Sequence, residues 1–269
     1  MNTSKSVLSV TLALSAVLGI GAASAADLAV KAKPIVVDPS YNWTGFYLGG
    51  NVGYGWSGRT GDLVATSGGL VIPGAVAAGT IPSFLGVRAE GGFGGAQAGY
   101  NWQSNHFVFG IEADIQGAAT KQSLVINRAA TGGFFATTHT VSSELDWFGT
   151  VRGRIGYDWN QVLLYGTGGV AYGYTSDSAT SQTVPPPPFG FGSNSGTRVG
   201  WAAGAGVEWA FRPSWSVKGE YLRVDLGSST TRVAFPSGDF IDYRFRHAYD
   251  TVKVGINYKF GSTPVVAKY

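Results

Sequence analysis

Hydrophobic and polar residues alternate with a period of two along eight stretches of the chain. In Thr251–Phe260, Val252, Val254, Ile256, Tyr258 and Phe260 share one face. Thr251, Lys253, Gly255, Asn257 and Lys259 share the other. A period of two means a strand with one apolar and one polar side. The eight stretches are Trp43–Trp56, Glu90–Trp102, Phe107–Gly117, Glu144–Trp159, Val162–Tyr174, Thr197–Phe211, Trp215–Leu226 and His247–Phe260. The phase blurs after Tyr221, which predicts a bulge there.

The connections between these strands alternate in length. Ser57–Arg88, Ala119–Ser142, Ser176–Gly196 and Gly227–Arg246 are long. Gln103–His106, Asn160-Gln161 and Arg212–Ser214 are short. The third long connection contains Pro185–Pro188, and four prolines cannot join a sheet ladder. The expected fold is therefore all-β: an eight-stranded antiparallel up-and-down barrel, with four long loops at one rim and three short turns at the other. Each strand is long enough to cross a bilayer at a tilt. In lipid only a closed sheet leaves no unpaired edge.

An eight-stranded barrel can also be a soluble carrier with an apolar interior. The faces decide between the two. The apolar face carries many bulky aromatics, too many for so narrow a lumen, whereas the polar face is mainly Gly, Ala, amides and charges. Trp102, Phe107, Tyr157, Trp159, Phe211, Trp215, Tyr258 and Phe260 lie beside the short turns or the last strand end. Trp56, Tyr172 and Tyr174 lie beside the long loops. Two aromatic girdles are the mark of a membrane barrel.

Composition agrees. Gly is 41 of 269 residues and aromatics are 13%, which disfavours long helices and suits closely packed strands. Cysteine is absent, so disulfides, thiol chemistry and Cys-ligated metals are excluded. The formal charge of +3 is too mild to imply nucleic acid. Lys5, the apolar run Val7–Ile20 and Ala23-Ser24-Ala25 read as a secretory signal peptide, residues 1–25, cleaved after Ala25. Residues 26–42 are expected to be an extended periplasmic segment, 43–260 the barrel and 261–269 a periplasmic tail.

Charges recur on the inward face at mid-strand: Glu112, Asp114, Arg152, Arg154, Glu208, Lys218, Glu220 and Lys253. Neighbouring strands let Glu112 and Asp114 meet Arg152 and Arg154. Glu208, Lys218, Glu220 and Lys253 can form a second group. Charges in a lipid-shielded lumen must pair or keep water. The expected outcome is a salt-bridge network that fills the lumen; an ion or proton path, or a gate, is the alternative. No cofactor or metal is expected. His106, His139 and His247 lack ligand spacing, and no catalytic or phosphate-binding motif is present. His139 or His247 with loop Asp and Ser residues is the only catalytic alternative, and nothing marks it out.

The ends of the pattern carry a resemblance. Lys253, Gly255, Tyr258 and Phe260 are similar to the C-terminal insertion signal of bacterial outer-membrane barrels. YNWTGFYLGGNVGYGW (Tyr41–Trp56), GGAQAGYNWQ (Gly94–Gln103), GIEADIQG (Gly110–Gly117), TVRGRIGYDW (Thr150–Trp159), GWAAGAGVEWAF (Gly200–Phe211), WSVKGEYLRVDLG (Trp215–Gly227) and TVKVGINYKF (Thr251–Phe260) resemble the alphaproteobacterial outer-membrane immunogenic proteins, OmpA-like members of the porin family. The resemblance covers every strand and little of the loops. It implies a bacterial outer-membrane location, an envelope-supporting role with displayed surface loops, and no catalytic residues. Its implied partners are outer-membrane lipid and lipopolysaccharide, the barrel assembly machinery and a possible external ligand at the loops. A narrow porin for small solutes, or a receptor or adhesin acting through the loops, are the alternative functions. Two features depart from the family: the chain continues past Phe260, and the four-proline loop is its own.

Overall fold

The computed structural model of the chain describes residues 41–67, 69–186 and 189–261. The expected signal peptide, residues 1–25, lies outside the described residues. So does all but 41–42 of the segment 26–42, and all but Gly261 of the tail 261–269.

Ten strands and one short helix follow in order: β1 (Gly45–Ser57), β2 (Thr60–Thr66), α1 (Val71–Ala77), β3 (Phe84–Val87), β4 (Glu90–Ser104), β5 (Phe107–Arg128), β6 (Ala136–Trp159), β7 (Val162–Val184), β8 (Phe189–Arg212), β9 (Trp215–Ala234) and β10 (Phe240–Lys259). Every pairing is antiparallel. β1 and β4 through β10 pair in sequence, and β10 returns to β1 over Tyr47↔Lys259 to Ser57↔Tyr249. The eight expected strands thus close into a ring with no free edge within the membrane.

The short turns follow from local chemistry. Asn105 and Asn160 hold φ of 54° and 63°, between β4 and β5 and between β6 and β7. Asparagine tolerates this left-handed region better than other side chains bearing a Cβ. Pro213-Ser214 makes the turn from β8 to β9.

Three of the long connections are largely strand. β5 to β10 run 20 to 24 residues, about twice the length needed to cross the hydrocarbon. Their outer halves rise above the membrane as a continued wall. Pro185 and Pro186 fall outside the ladder, at the top of β7. The first long connection folds differently. β2 adds to β10 above the end of β1, with Tyr243↔Leu63 in register, and β3 adds to β2. Ile72 and Ala75 of α1, Ile81, and Leu85 and Val87 of β3 then bury against the inward-facing Val141, Ala179, Val233, Ile241, Tyr243 and Phe245. This insert caps the outer mouth.

The lower halves keep the expected faces. The exposed apolar residues point outward: Leu48 and Val52 on β1, Phe109 and Ile111 on β5, Val254 and Ile256 on β10. Aromatic rings contact one another along the turn-side rim, as in Phe46–Phe260 at 5.7 Å, Trp215–Tyr258 at 5.1 Å and Phe107–Tyr157 at 5.8 Å. Register shifts occur at Gly117/Thr120, Leu145/Trp147 and Arg246/Ala248. The irregularity expected on the seventh strand lies later than Tyr221: Val224, Asp225 and Leu226 are all buried, and Gly227 takes a φ of 81°. These shifts sit where the membrane-spanning wall gives way to the outer wall.

Candidate functional site

The inward charges lie at mid-lumen, and every side chain in the group is at most 4% exposed. Arg152 on β6 places Nη2 at 2.8 Å from Glu112 and 2.9 Å from Asp114 on β5. Its Nη1 reaches Glu220 on β9 at 2.9 Å. Arg154 donates to Glu208 on β8 at 2.7 Å. Lys218 on β9 donates to Glu112 at 2.6 Å. Lys253 on β10 contacts Asp114 at 2.9 Å and Glu220 at 3.0 Å. The two groups drawn from strand order are therefore one. An eight-stranded lumen is narrow enough for long side chains to meet from opposite walls, so adjacency in the sheet does not limit the pairing.

Uncharged donors fill the remaining carboxylate positions. Tyr47 donates to Glu112 at 2.7 Å and Tyr165 to Glu220 at 2.9 Å. Thr150 donates to Asp114 through both its hydroxyl and its backbone N–H. Ser216 and Asn257 donate to Glu208 at 2.5 and 2.8 Å. The Arg154 guanidinium also lies over the Tyr165 ring at 4.2 Å. A buried ion network is tolerable only when its lone pairs and protons are matched in this way.

Two glycines make room for the tyrosines. A Cβ on Gly99 would fall 2.5 Å from Cζ of Tyr47 and 2.7 Å from the Ile111 carbonyl. A Cβ on Gly206 would fall 2.5 Å from the Tyr165 hydroxyl and 2.8 Å from the Gly219 carbonyl. Neither tyrosine stood out in the sequence. The inward phase of Tyr47 was visible, but not its reach to Glu112.

The lumen is layered above and below this network. At the turn end, Trp43 packs with Val108, Leu163, Tyr165 and Ala210. Its indole N–H donates to Asp158 at 2.9 Å, and its backbone N–H to Gln103 at 2.7 Å. On the outer side lies an apolar layer that includes Phe93, Phe148, Leu222 and Tyr249. Above that, Asp177 accepts from Ser143 and Ser229, each at 2.8 Å.

The profile of the outer membrane protein β-barrel domain family matches residues 13–260. The chain belongs to that family. The 31 kDa outer-membrane immunogenic protein of Brucella melitensis is 33% identical to it, over 91% of this chain and 99% of the relative. The 22 kDa outer membrane protein of Rhizobium leguminosarum is 31% identical, over 85% and 83%. Among solved structures, the outer membrane protein OprG from Pseudomonas aeruginosa is similar at a TM-score of 0.44 and 10% identity, covering 82% of this chain and 99% of that one.

This family membership makes the chain an integral outer-membrane β-barrel, with lipid against its apolar wall. Within such a barrel, Asp177, Ser229 and His247 bring together the residue types of a hydrolase. Their arrangement is a different one. His247 directs Nε2 at both Asp177 Oδ2 and Ser229 Oγ, each at 3.0 Å. A catalytic histidine gives Nδ1 to the carboxylate and keeps Nε2 for the nucleophile. Ser229 here donates to Asp177 and is buried, as are the other two. His139 is separate: its Nε2 lies 3.1 Å from the Thr80 carbonyl under the cap. His106 stacks on Tyr157 at the turn rim, 5.5 Å between ring centres. Among the described residues, no His, Asp and Glu group has the makings of a metal site. Of the terminal residues Lys253, Gly255, Tyr258 and Phe260, Lys253 joins the charge network. Gly255 packs inward beside Gln97. Tyr258 and Phe260 lie in the girdle with ring centres 4.9 Å apart.

Proposed function

We propose that this outer-membrane barrel is a closed structural element that supports the envelope and displays its outer wall and cap, without catalysis and without a solute path. The observation that carries the reading is the mid-lumen network of Glu112, Asp114, Arg152, Arg154, Glu208, Lys218, Glu220 and Lys253, joined by ion pairs from β5 to β10. Water-filled barrels need about sixteen strands, and eight leave an interior that side chains can fill. The Trp43 layer below and the capping insert above support the same reading.

The chain is exported through a cleaved signal peptide at residues 1–25. It keeps a short periplasmic lead before the barrel 43–260 and a tail at 261–269. The barrel assembly machinery reads the final strand through Tyr258 and Phe260. Swelling of proteoliposomes in sugars of graded size tests closure. The expected result is no size-dependent swelling; swelling by the smallest sugars would make the protein a narrow porin.

A second reading, a receptor acting through the outer tips, rests on Leu70, Val71 and Phe135, which are large, apolar and exposed. Replacing all three with serine leaves the barrel intact and would abolish any ligand binding made there. Unchanged binding would remove this reading.

A further inference from the structure

The membrane-spanning ring is closed, but the outer wall above it is a sheet with two free edges. β4 stops pairing with β5 at Phe93↔Ala118. Beyond that point, among the described residues, β5 pairs only with β6, from Thr120↔Leu145 to Arg128↔Thr137. At the other end of the same sheet, β3 pairs only with β2. Alternate residues of a strand turn both main-chain groups to one side. On the side of β5 away from β6, the main chain of residues 121–128 makes no hydrogen bond among the described residues.

The two edges differ. β3 is four residues long, and its Gly86 takes a φ of 70°, which interrupts the extended run. Short strands and irregular backbone are how proteins blunt an edge. Lys121–Arg128, KQSLVINR, contains no proline, no glycine and no register shift. Val125 and Ile126 at its centre favour the extended conformation. The side chains show the same opening. Val141 and Ser143, inward on β6, are buried, whereas Leu124 and Gln122, which stand opposite them on β5, are only half-buried. Val125, on the outward face, is 57% exposed. Lys121 at the membrane end is held by Glu144 at 3.1 Å. Arg128 at the outer end is exposed and makes no ion pair among the described residues.

An added strand would bring partners for the main chain, apolar cover for Leu124 and Ile126, and an acid for Arg128. A second copy in the same membrane does not supply it. Antiparallel pairing of β5 with its own copy needs a two-fold axis perpendicular to the wall, which would invert the partner in the bilayer. β3, the other free edge, is too short and irregular to pair along this one. We propose that the β5 edge at residues 121–128 binds an extended segment of another, extracellular protein by strand addition. That segment alternates apolar residues on the lumen side with small polar residues outside, and carries an acid beside Arg128. The site lies on the wall and not in the lumen, so it goes beyond the closed-barrel reading and does not depend on it.

The test uses the full-length barrel in neutral detergent micelles and a synthetic peptide, one aspartate followed by alternating threonine and valine. Fluorescence anisotropy measures binding, and amide hydrogen exchange locates it. Binding is expected to slow exchange at alternate residues of 121–128 and to leave β7, which is paired on both sides, unchanged. The same peptide N-methylated at each residue is expected to bind at least about tenfold weaker, because each lost main-chain hydrogen bond costs about a factor of five. Leu124→Lys puts a charge under the incoming strand and is expected to weaken binding about tenfold. Arg128→Gln breaks no ion pair and is expected to remove an about threefold preference for the aspartate peptide over its asparagine counterpart. That variant keeps the test decisive if Leu124→Lys fails to fold. Ser178→Lys on β7 is expected to leave the affinity unchanged. Equal binding of the N-methylated peptide, protection outside residues 121–128, or full affinity in a folded Leu124→Lys barrel would overturn the proposal. Slow exchange at 121–128 in the peptide-free barrel, with a doubled protein mass, would also overturn it and give the edge to a second copy.

Discussion

Lys218 on β9 crosses the lumen to both carboxylate oxygens of Glu112 on β5, at 2.8 and 2.6 Å. Glu112 also holds Arg152, whereas Lys218 has no second carboxylate within the ion-pair network. The two ends of this pair are therefore unequal. Glu112→Gln strands a buried ammonium and is expected to destabilise the barrel by about 3–5 kcal/mol, the cost of one unpaired buried charge. Lys218→Met leaves Glu112 paired with Arg152 and costs less. The double variant recovers most of the loss. Urea unfolding in lipid vesicles measures all three, and a Glu112→Gln barrel as stable as the double variant would contradict this account.

Gly99 and Gly206 are open positions that Tyr47 and Tyr165 fill. Gly99→Ala and Gly206→Ala push a phenol or the neighbouring strand aside and are each expected to cost about 1–3 kcal/mol, as overpacking does. Gly219→Ala is the control, because nothing lies within 4 Å of its added Cβ. Heat-modifiable gel migration as a function of temperature ranks the three. A Gly219→Ala variant that melted as low as Gly99→Ala would show that strand flexibility, not space, is what these glycines provide.

The cap has its own pH dependence. Burial pushes the His139 imidazole below its usual value of 6.5, against an opposing hydrogen bond to the Thr80 carbonyl. As pH falls through about 6.5 the unfolded segment takes up a proton that the folded one does not. Stability of the cap is full above that point and declines as pH falls towards the lowered folded value. Protection factors of residues 136–145, taken relative to the intrinsic exchange rate at each pH, are therefore expected to fall between about pH 7 and pH 5, and His139→Gln to flatten that trend. An unchanged slope in the variant would place the pH response elsewhere.

Phe260 closes the turn-side girdle against Phe46 and Tyr258. Phe260→Ala is expected to reduce folded protein in the outer membrane more than removal of residues 261–269 does. Quantifying the heat-modifiable band in membrane fractions compares the two. The reverse order would mean that the assembly signal lies in the tail.

The eight crossings were legible because lipid on one side and a polar lumen on the other impose strict alternation from Trp43 to Phe260. The outer wall was not. Above the membrane both faces carry small polar residues, as in Thr175–Ser181 and Thr137–Ser143, so the contrast that marks a strand disappears. The shifts at Gly117/Thr120 and Leu145/Trp147 also change the phase between the two halves of one strand. The cap was hidden for another reason: α1 and β3 are seven and four residues long, too short for a period to show. Inward charges could be listed from phase alone. Which of them touch depends on lumen width, and Arg152–Glu220 joins strands that are not neighbours in the sheet. Arg232, Arg244 and Arg246, outward on β9 and β10, lay in a stretch read as a loop, so their common face was invisible until the wall was seen to continue.

Closure of the lumen is the central claim, and single-channel recording in planar bilayers tests it most directly. The purified full-length barrel is expected to give a quiet baseline with no stable conductance steps. Glu112→Gln with Lys218→Met, which thins the network without leaving a stranded charge, is expected to show at most brief small openings. Stable, large steps from the wild-type protein would contradict the closed barrel and make the charged layer the lining of a pore.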